Sequence, residues 1–221
     1  MNNLAPIKSK PSPWQVTVGA EGIAAAQFAR CGFDVSIQSG RDKPWYDLVV
    51  AKAGSLLKVS VKGSEDGSWA LTEAYTKRAA DLNGKKPNAR GAIDLWLDHH
   101  GARTLCCLVQ FEGVTIDELP RIYLATPFEV AEKLRQTADR LGTPILYEKY
   151  QWESVLIDAP AIEKLPSQWG FSERRIHELL NYRAPGAPAP SVLHKGPTAI
   201  GSWSPSAESA LARPEPVALS A

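Results

Sequence analysis

The chain has 221 residues, 44% of them hydrophobic and 22% charged, and its 25 Lys and Arg against 24 Asp and Glu leave a formal net charge of +1. That balance excludes a broad basic field as the means of holding nucleic acid, and the lack of any apolar run near the ~20 residues that span a bilayer excludes a membrane partner. Three cysteines, two of them adjacent, make no disulfide framework, and the opening MNNLAPIKSKPSPWQ lacks the apolar centre of a secretory signal, so a cytoplasmic protein is expected.

Residues 1–13, rich in Lys, Ser and Pro, are expected to form a flexible arm ahead of a single folded domain over 14–183. Residues 15–30 (QVTVGAEGIAAAQFAR) read as a helix, with an alanine run inside it and Gly32 just beyond its last turn. Glu21, Ala24, Ala25 and Phe28 share one face, which sets a carboxylate at the head of an apolar stripe. Residues 33–37 (FDVSI) alternate as a half-buried strand does, and 47–51 and 56–62 supply two more strands, together an antiparallel meander. Residues 92–97 (AIDLWL) and 104–111 (TLCCLVQF) are expected to be a further strand pair joined by the turn DHHGAR, and 121–125 (RIYLA) another strand.

Thr126, Pro127 and Glu129 spell a capping box and open a helix that should run to Leu141, before Gly142. Beyond it, ILYEKYQWESVLI is aromatic and β-branched enough to be extended, and SERRIHELLNYR reads as a short amphipathic helix capped by Ser172. From residue 184 the composition turns to Pro, Ala, Ser and Gly, the mark of a disordered tail over 184–221. The fold class expected is mixed α/β (α+β): a mixed sheet containing an antiparallel meander, flanked by helices.

The chemistry concentrates around residues 46–66, YDLVVAKAGSLLKVSVKGSED. In KVSVK, alternation puts Lys58, Ser60 and Lys62 on one face and Val59 and Val61 on the other, where the core should lie. Asp47 opens the preceding strand, and a hairpin turning near residues 53–55 returns the chain so that Asp47 and Lys62 become neighbours. Glu21 can point at the same spot if its helix packs on this sheet. Hard carboxylate oxygens beside a lysine suit Mg²⁺-assisted cleavage of a phosphodiester. Each residue also has an ordinary reading alone: a helix-favoured glutamate, a turn aspartate and a solvated strand-end lysine.

The order of these residues resembles the PD-(D/E)XK nuclease superfamily, most closely its Holliday-junction-resolvase-like and homing-endonuclease-like branches. That family's core is a helix bearing an acid, then an antiparallel meander carrying Asp and (Glu/Asp/Gln)-x-Lys. The resemblance covers residues 15–65 by motif and implies a restriction-endonuclease-like core, a DNA substrate, Mg²⁺ or Mn²⁺ as cofactor, and a homodimer where two strands are cut. It implies Glu21 and Asp47 as metal ligands and Lys62 as the catalytic lysine. Ser60 departs from the pattern, because its slot carries an acid or amide in the family and a hydroxyl is a weaker, neutral ligand. Either Glu65 or Asp66 is recruited in its place, or the site is weakened, or the fold survives as an inactive module that binds DNA or a protein.

Other candidates are sparser. Trp45, beside Tyr46 and Asp47, is the aromatic expected to touch DNA, with Trp69 second. Lys77, Arg78, Lys85, Lys86 and Arg90, interleaved with Asn83 and Asn88, form either a phosphate-contacting loop or a solvated polar one. His99 and His100 with Asp94 and Asp98 are a minor metal candidate, and Cys31, Cys106 and Cys107 lack zinc spacing. No phosphate-cradling glycine loop and no GxSxG elbow occurs.

Overall fold

Ser12 starts the first element. In the computed structural model, which describes residues 10–38, 45–76, 88–100, 104–152 and 161–182, its hydroxyl accepts from the Gln15 amide while the Gln15 side chain accepts from the Ser12 amide. This capping box and the proline at the first helical position start helix α1 (Pro13–Arg30) earlier than the expected arm allows. The expected tail over 184–221 lies outside the described residues, as do Lys77, Arg78, Lys85 and Lys86.

The meander follows as expected: β1 (Asp34–Ile37), β2 (Leu48–Lys52) and β3 (Ser55–Ser64) pair antiparallel in sequence order. The β2–β3 turn has two residues, Ala53 and Gly54, both with positive φ, which marks the type I′ hairpin turn whose twist matches the strands. A short strand β4 (Ser68–Trp69) follows. Residues 92–97, expected as a strand, instead lie in helix α2 (Ala89–Asp98). The alternation of Ile93, Leu95 and Leu97 suggested a strand, yet the residues that are buried are Ala92, Ile93 and Trp96, on one helical face, and Asn88 caps the start through the Arg90 amide. Topology requires the helix as well. Strand β5 (Thr104–Gln110) runs parallel to β3, and parallel neighbours need a long crossover that a turn cannot supply.

Strand β6 (Arg121–Ala125) closes a five-stranded sheet of order β1-β2-β3-β5-β6, and helix α3 (Pro127–Leu141) carries the expected capping box at Thr126 and left-handed Gly142 at its end. Beyond it come β7 (Leu146–Tyr147), paired with β4, and the hairpin of β8 (Lys149–Trp152) with β9 (Ala161–Lys164), then a 3₁₀ turn and helix α4 (Glu173–Leu180), capped by Ser172. The fold is mixed α+β, a mixed sheet flanked by helices.

Two cores lie on the two faces of the sheet. Leu57, Val59 and Val61 of β3 and Leu105, Cys107 and Val109 of β5 meet α1 and α4, while Cys106 and Leu108 meet Trp69, Trp96 and the apolar face of α3. Strand β5 is buried on both faces, which is why TLCCLVQ reads as an unbroken apolar run. Buried Arg175 fastens α4 to α3: its guanidinium holds both Glu129 carboxylate oxygens at 2.7 and 2.6 Å and donates to the Leu124 carbonyl. No helix among the described residues is long and apolar enough to cross a membrane.

Candidate functional site

Pairing between β2 and β3 ends at Leu48 and Val59, and beyond that point the strands part into a fork. Asp47 fills its mouth. Its amide donates to the Val59 carbonyl at 2.8 Å, and its carboxylate Oδ2 accepts from the Val61 amide at 2.7 Å, so a side chain continues the ladder that the backbone abandons. Only 5% of Asp47 and 3% of Ser60 is exposed. Continuing the register, Ser60 stands across from Asp47, and Lys62 lies one step further along the same face of β3, diagonally adjacent and exposed. On the far side Ser60 pairs with Cys106 and Lys62 with Leu108.

Helix α1 covers the opposite face, and it comes unusually close. A Cβ at Gly63 would lie 2.9 Å from the Val16 carbonyl oxygen and 3.0 Å from the Ala20 Cβ, so a glycine is what lets α1 rest on β3 beside Lys62. Gly19 turns toward Phe111 at the end of β5 and Ala20 toward β3. Half-buried Glu21 follows Ala20 on this helix, and so belongs to the element that covers the face opposite to Ser60 and Lys62.

The rim of the fork is aromatic and cationic. Trp45 is 67% exposed and meets the His99 ring edge-on at 4.7 Å between centroids, and His99 in turn meets buried Tyr75 at 5.0 Å. The Lys58 ammonium sits 5.0 Å from the centre of the Tyr46 ring. His99 and His100 follow the end of α2, each with Nδ1 2.8 Å from the carbonyl oxygen four residues back, Leu95 and Trp96. Burial, followed by the charges on Lys62 and His99, outweighs the Trp96 carbonyl and pushes the His100 imidazole below its ordinary value. Burial pushes the Cys106 thiol up to about 12 against the opposing charge of Lys62, so this cysteine stays protonated.

Several sequence-based expectations change here. Asp66 is committed to the β3–β4 turn: its Oδ1 accepts from the hydroxyls of Ser64 and Ser68 and from the Ser68 amide. Burial, which would raise its pKa, is outweighed by those bonds, and the carboxyl is held below the usual carboxylate range. Glu65 shares that turn, and about 13 Å of strand separates Ser60 from the end of β3 at Ser64, so neither acid stands in for Ser60. Arg90 is not in a loop. It lies in the first turn of α2 and clamps Asp139 of α3 at 2.8 and 2.9 Å. Asp94, offered with the histidines as a metal site, pairs with Arg135, and among the described residues no group of three or more His, Cys, Asp or Glu side chains could hold a metal.

The polar groups at the fork are few: the Asp47 carboxylate, one oxygen of which accepts from the Val61 amide, and the neutral Ser60 hydroxyl. An ion such as Mg²⁺ takes one or two carboxylates and keeps several waters, so Asp47 is the residue of the fork that could hold one. One polar cluster went unread in the sequence. Buried Glu148 takes bonds from exposed Arg121 and from the Tyr123 hydroxyl, closing a network beside β6 that only tertiary contacts assemble. Compared with known proteins, the chain matches no family model, no curated protein and no solved structure.

Proposed function

We propose that this protein is a metal-dependent DNA endonuclease of restriction-endonuclease-like fold, acting in the cytoplasm and weakened by Ser60. The observation that carries this reading is the fork itself: Asp47 is held by the Val61 amide at the point where β2 leaves β3, with Lys62 exposed on the same face. The helix-then-meander order, with Glu21 in that helix, agrees with the family resemblance, and three free cysteines agree with a reducing compartment.

In this reading the Val61 amide fixes the Asp47 carboxylate that would hold a cation, and Glu21 would join it as the resemblance implies. Lys62 places a positive charge where the transferring phosphoryl group gathers negative charge, an interaction whose loss costs about 10²–10³ in rate at comparable sites. Mg²⁺ or Mn²⁺, when bound, supplies the Lewis acid that polarises the phosphoryl oxygen and acidifies the attacking water. Trp45, stiffened by His99 behind it, offers an indole on which a base can stack. Lys85 and Lys86 are kept as phosphate contacts, whereas Arg90 contributes only if it gives up Asp139. Cutting both strands calls for a homodimer.

The test is cleavage of linear, branched and single-stranded DNA with Mg²⁺ or Mn²⁺, beside Asp47→Asn and Lys62→Met. Nicking that survives both substitutions sinks the site. The second reading, an inactive module that binds DNA or a protein partner, is favoured by the buried hydroxyl of Ser60 where the family carries an acid or amide. Salt-sensitive DNA binding without cleavage selects it. Ser60→Glu separates weakened from lost: restored acid should raise activity in a weakened site and do nothing in a repurposed one.

A further inference from the structure

The two faces of the sheet are covered unequally. On one face the core beneath α1 and α4 takes residues from β2, β3, β5 and β6. On the other, the core beneath α2 and α3 draws its buried sheet residues from β5 and β6 alone, Cys106, Leu108 and Ala125. That face of β1, β2 and β3 is left out of both cores. Two cross-strand rows lie on it, Ser36 with Val49 and Lys58, and Asp34 with Ala51 and Leu56, and none of the six is buried. Lys62 continues the face along β3, exposed and about 13 Å of strand from Lys58.

Charge and rings gather on this open half. Arg90, Arg121, Arg135 and Arg175 are each held by a carboxylate, but among the described residues neither Lys58 nor Lys62 has one. The Lys58 ammonium sits instead 5.0 Å from the centre of the Tyr46 ring. Next to Tyr46, Trp45 meets His99 at the end of α2, the helix that helps to cover the other half, and this T-shaped contact fixes an indole that stays 67% exposed. The acid of the outer row, Asp34, lies at the end away from Lys62, so the cationic track leads toward the fork. Unpaired ammonium groups beside an exposed indole and an apolar floor suit a ligand with anions along one edge and flat rings along the other. A single DNA strand has that form, whereas a duplex turns its ring faces inward and offers its phosphates.

We propose that this uncovered half-sheet binds single-stranded DNA, with Lys58 and Lys62 on its phosphates and Trp45 stacked on a base. The inference rests on the reading above that DNA is the substrate, and adds that the strand reaches the fork unpaired.

Binding to the full chain in EDTA, where no cleavage intervenes, tests the proposal. In fluorescence anisotropy, a labelled oligothymidylate of about 15 nucleotides should bind more tightly than a duplex of the same length at equal salt. Lys58→Met and Lys62→Met, with Lys58→Gln and Lys62→Gln as second variants, should each weaken binding and lower the salt slope by about 0.7. Trp45→Leu should weaken it about tenfold with the slope unchanged. Lys149→Met, on β8 outside this sheet, should match wild type, and the thermal midpoint is checked for every variant. Equal or tighter binding of the duplex, or wild-type slopes in the variants of both lysines, overturns the proposal. Mg²⁺-dependent cleavage confined to duplex DNA overturns it too and leaves the nuclease reading standing. Strand binding that the lysine variants weaken, without cleavage in Mg²⁺, supports the platform and sinks the nuclease reading.

Discussion

Gly63→Ala offers a decisive test of how α1 sits on the sheet, because two effects of opposite sign compete. Gly63 has an ordinary strand φ, so alanine should by itself stabilise by about 0.4–1 kcal/mol through a less flexible unfolded chain. Against this, the new Cβ would lie 2.9 Å from the Val16 Cγ1, 2.9 Å from the Val16 carbonyl oxygen and 3.0 Å from the Ala20 Cβ. Carbon atoms rest about 3.5–4.0 Å apart, so α1 must back away by roughly 0.5–1 Å, and a gap of that size forfeits a quarter to a half of each contact it opens. Buried Ala24 and Phe28 lie on the same face of α1 and would lose contact as well. Overpacking of this kind costs about 1–3 kcal/mol, which after the opposing gain leaves a net loss of about 1 kcal/mol and a thermal midpoint lowered by about 2–4 °C. Differential scanning calorimetry of wild type and Gly63→Ala gives the answer. Adding Val16→Ala removes Cγ1 but not the carbonyl oxygen, so the double variant should recover only part of the loss. A midpoint unchanged or raised in Gly63→Ala refutes the close approach of α1 to β3.

Asp47→Ala should cost about 1–3 kcal/mol in urea unfolding because it leaves the Val61 amide without its acceptor, whereas Asp47→Asn keeps an oxygen there and should cost under about 1 kcal/mol. Equal losses for the two would show that this bond does not hold the fork. Ala53 carries a φ of 50° at the first turn position, where asparagine is favoured, so Ala53→Asn should raise stability by about 0.5–1 kcal/mol and the midpoint by a few degrees. A lower midpoint would contradict the type I′ turn. Burial tends to raise the Glu148 pKa, but the bonds from Arg121 and Tyr123 prevail and hold the carboxyl below its ordinary value. Its contribution is therefore present above the unfolded carboxylate pKa of about 4.3 and is lost as pH falls through the lower folded value. Glu148→Gln should flatten the acid limb of a stability-against-pH curve, and an unchanged limb would remove Glu148 from the account.

Much of the architecture was legible in local signals with a direct physical cause. Period-two alternation and turn residues marked the meander, and Thr126, Glu129 and Gly142 delimited α3 because caps satisfy backbone groups that a helix end leaves open. The failure at residues 92–97 is equally physical. Ile93, Leu95 and Leu97 alternate like a strand, and only the parallel pairing of β3 with β5 shows that the chain needs a crossover helix there. The candidate site divides in the same way. That Asp47 would come back beside β3 followed from the hairpin, but the commitment of Asp66 to a turn, of Arg90 to Asp139 and of His99 to Trp45 depended on contacts between distant segments.

By itself the sequence determined the mixed α+β class, the hairpin that returns β3 beside Asp47, and the absence of an acid at Ser60, since strand period, turn chemistry and residue identity are local properties. Tertiary structure decided what surrounds that serine. Residues far apart in the chain approach only when the two cores close over the sheet, and that closure set α1 against Gly63 on one face and brought the end of α2, with His99, to Trp45 on the other.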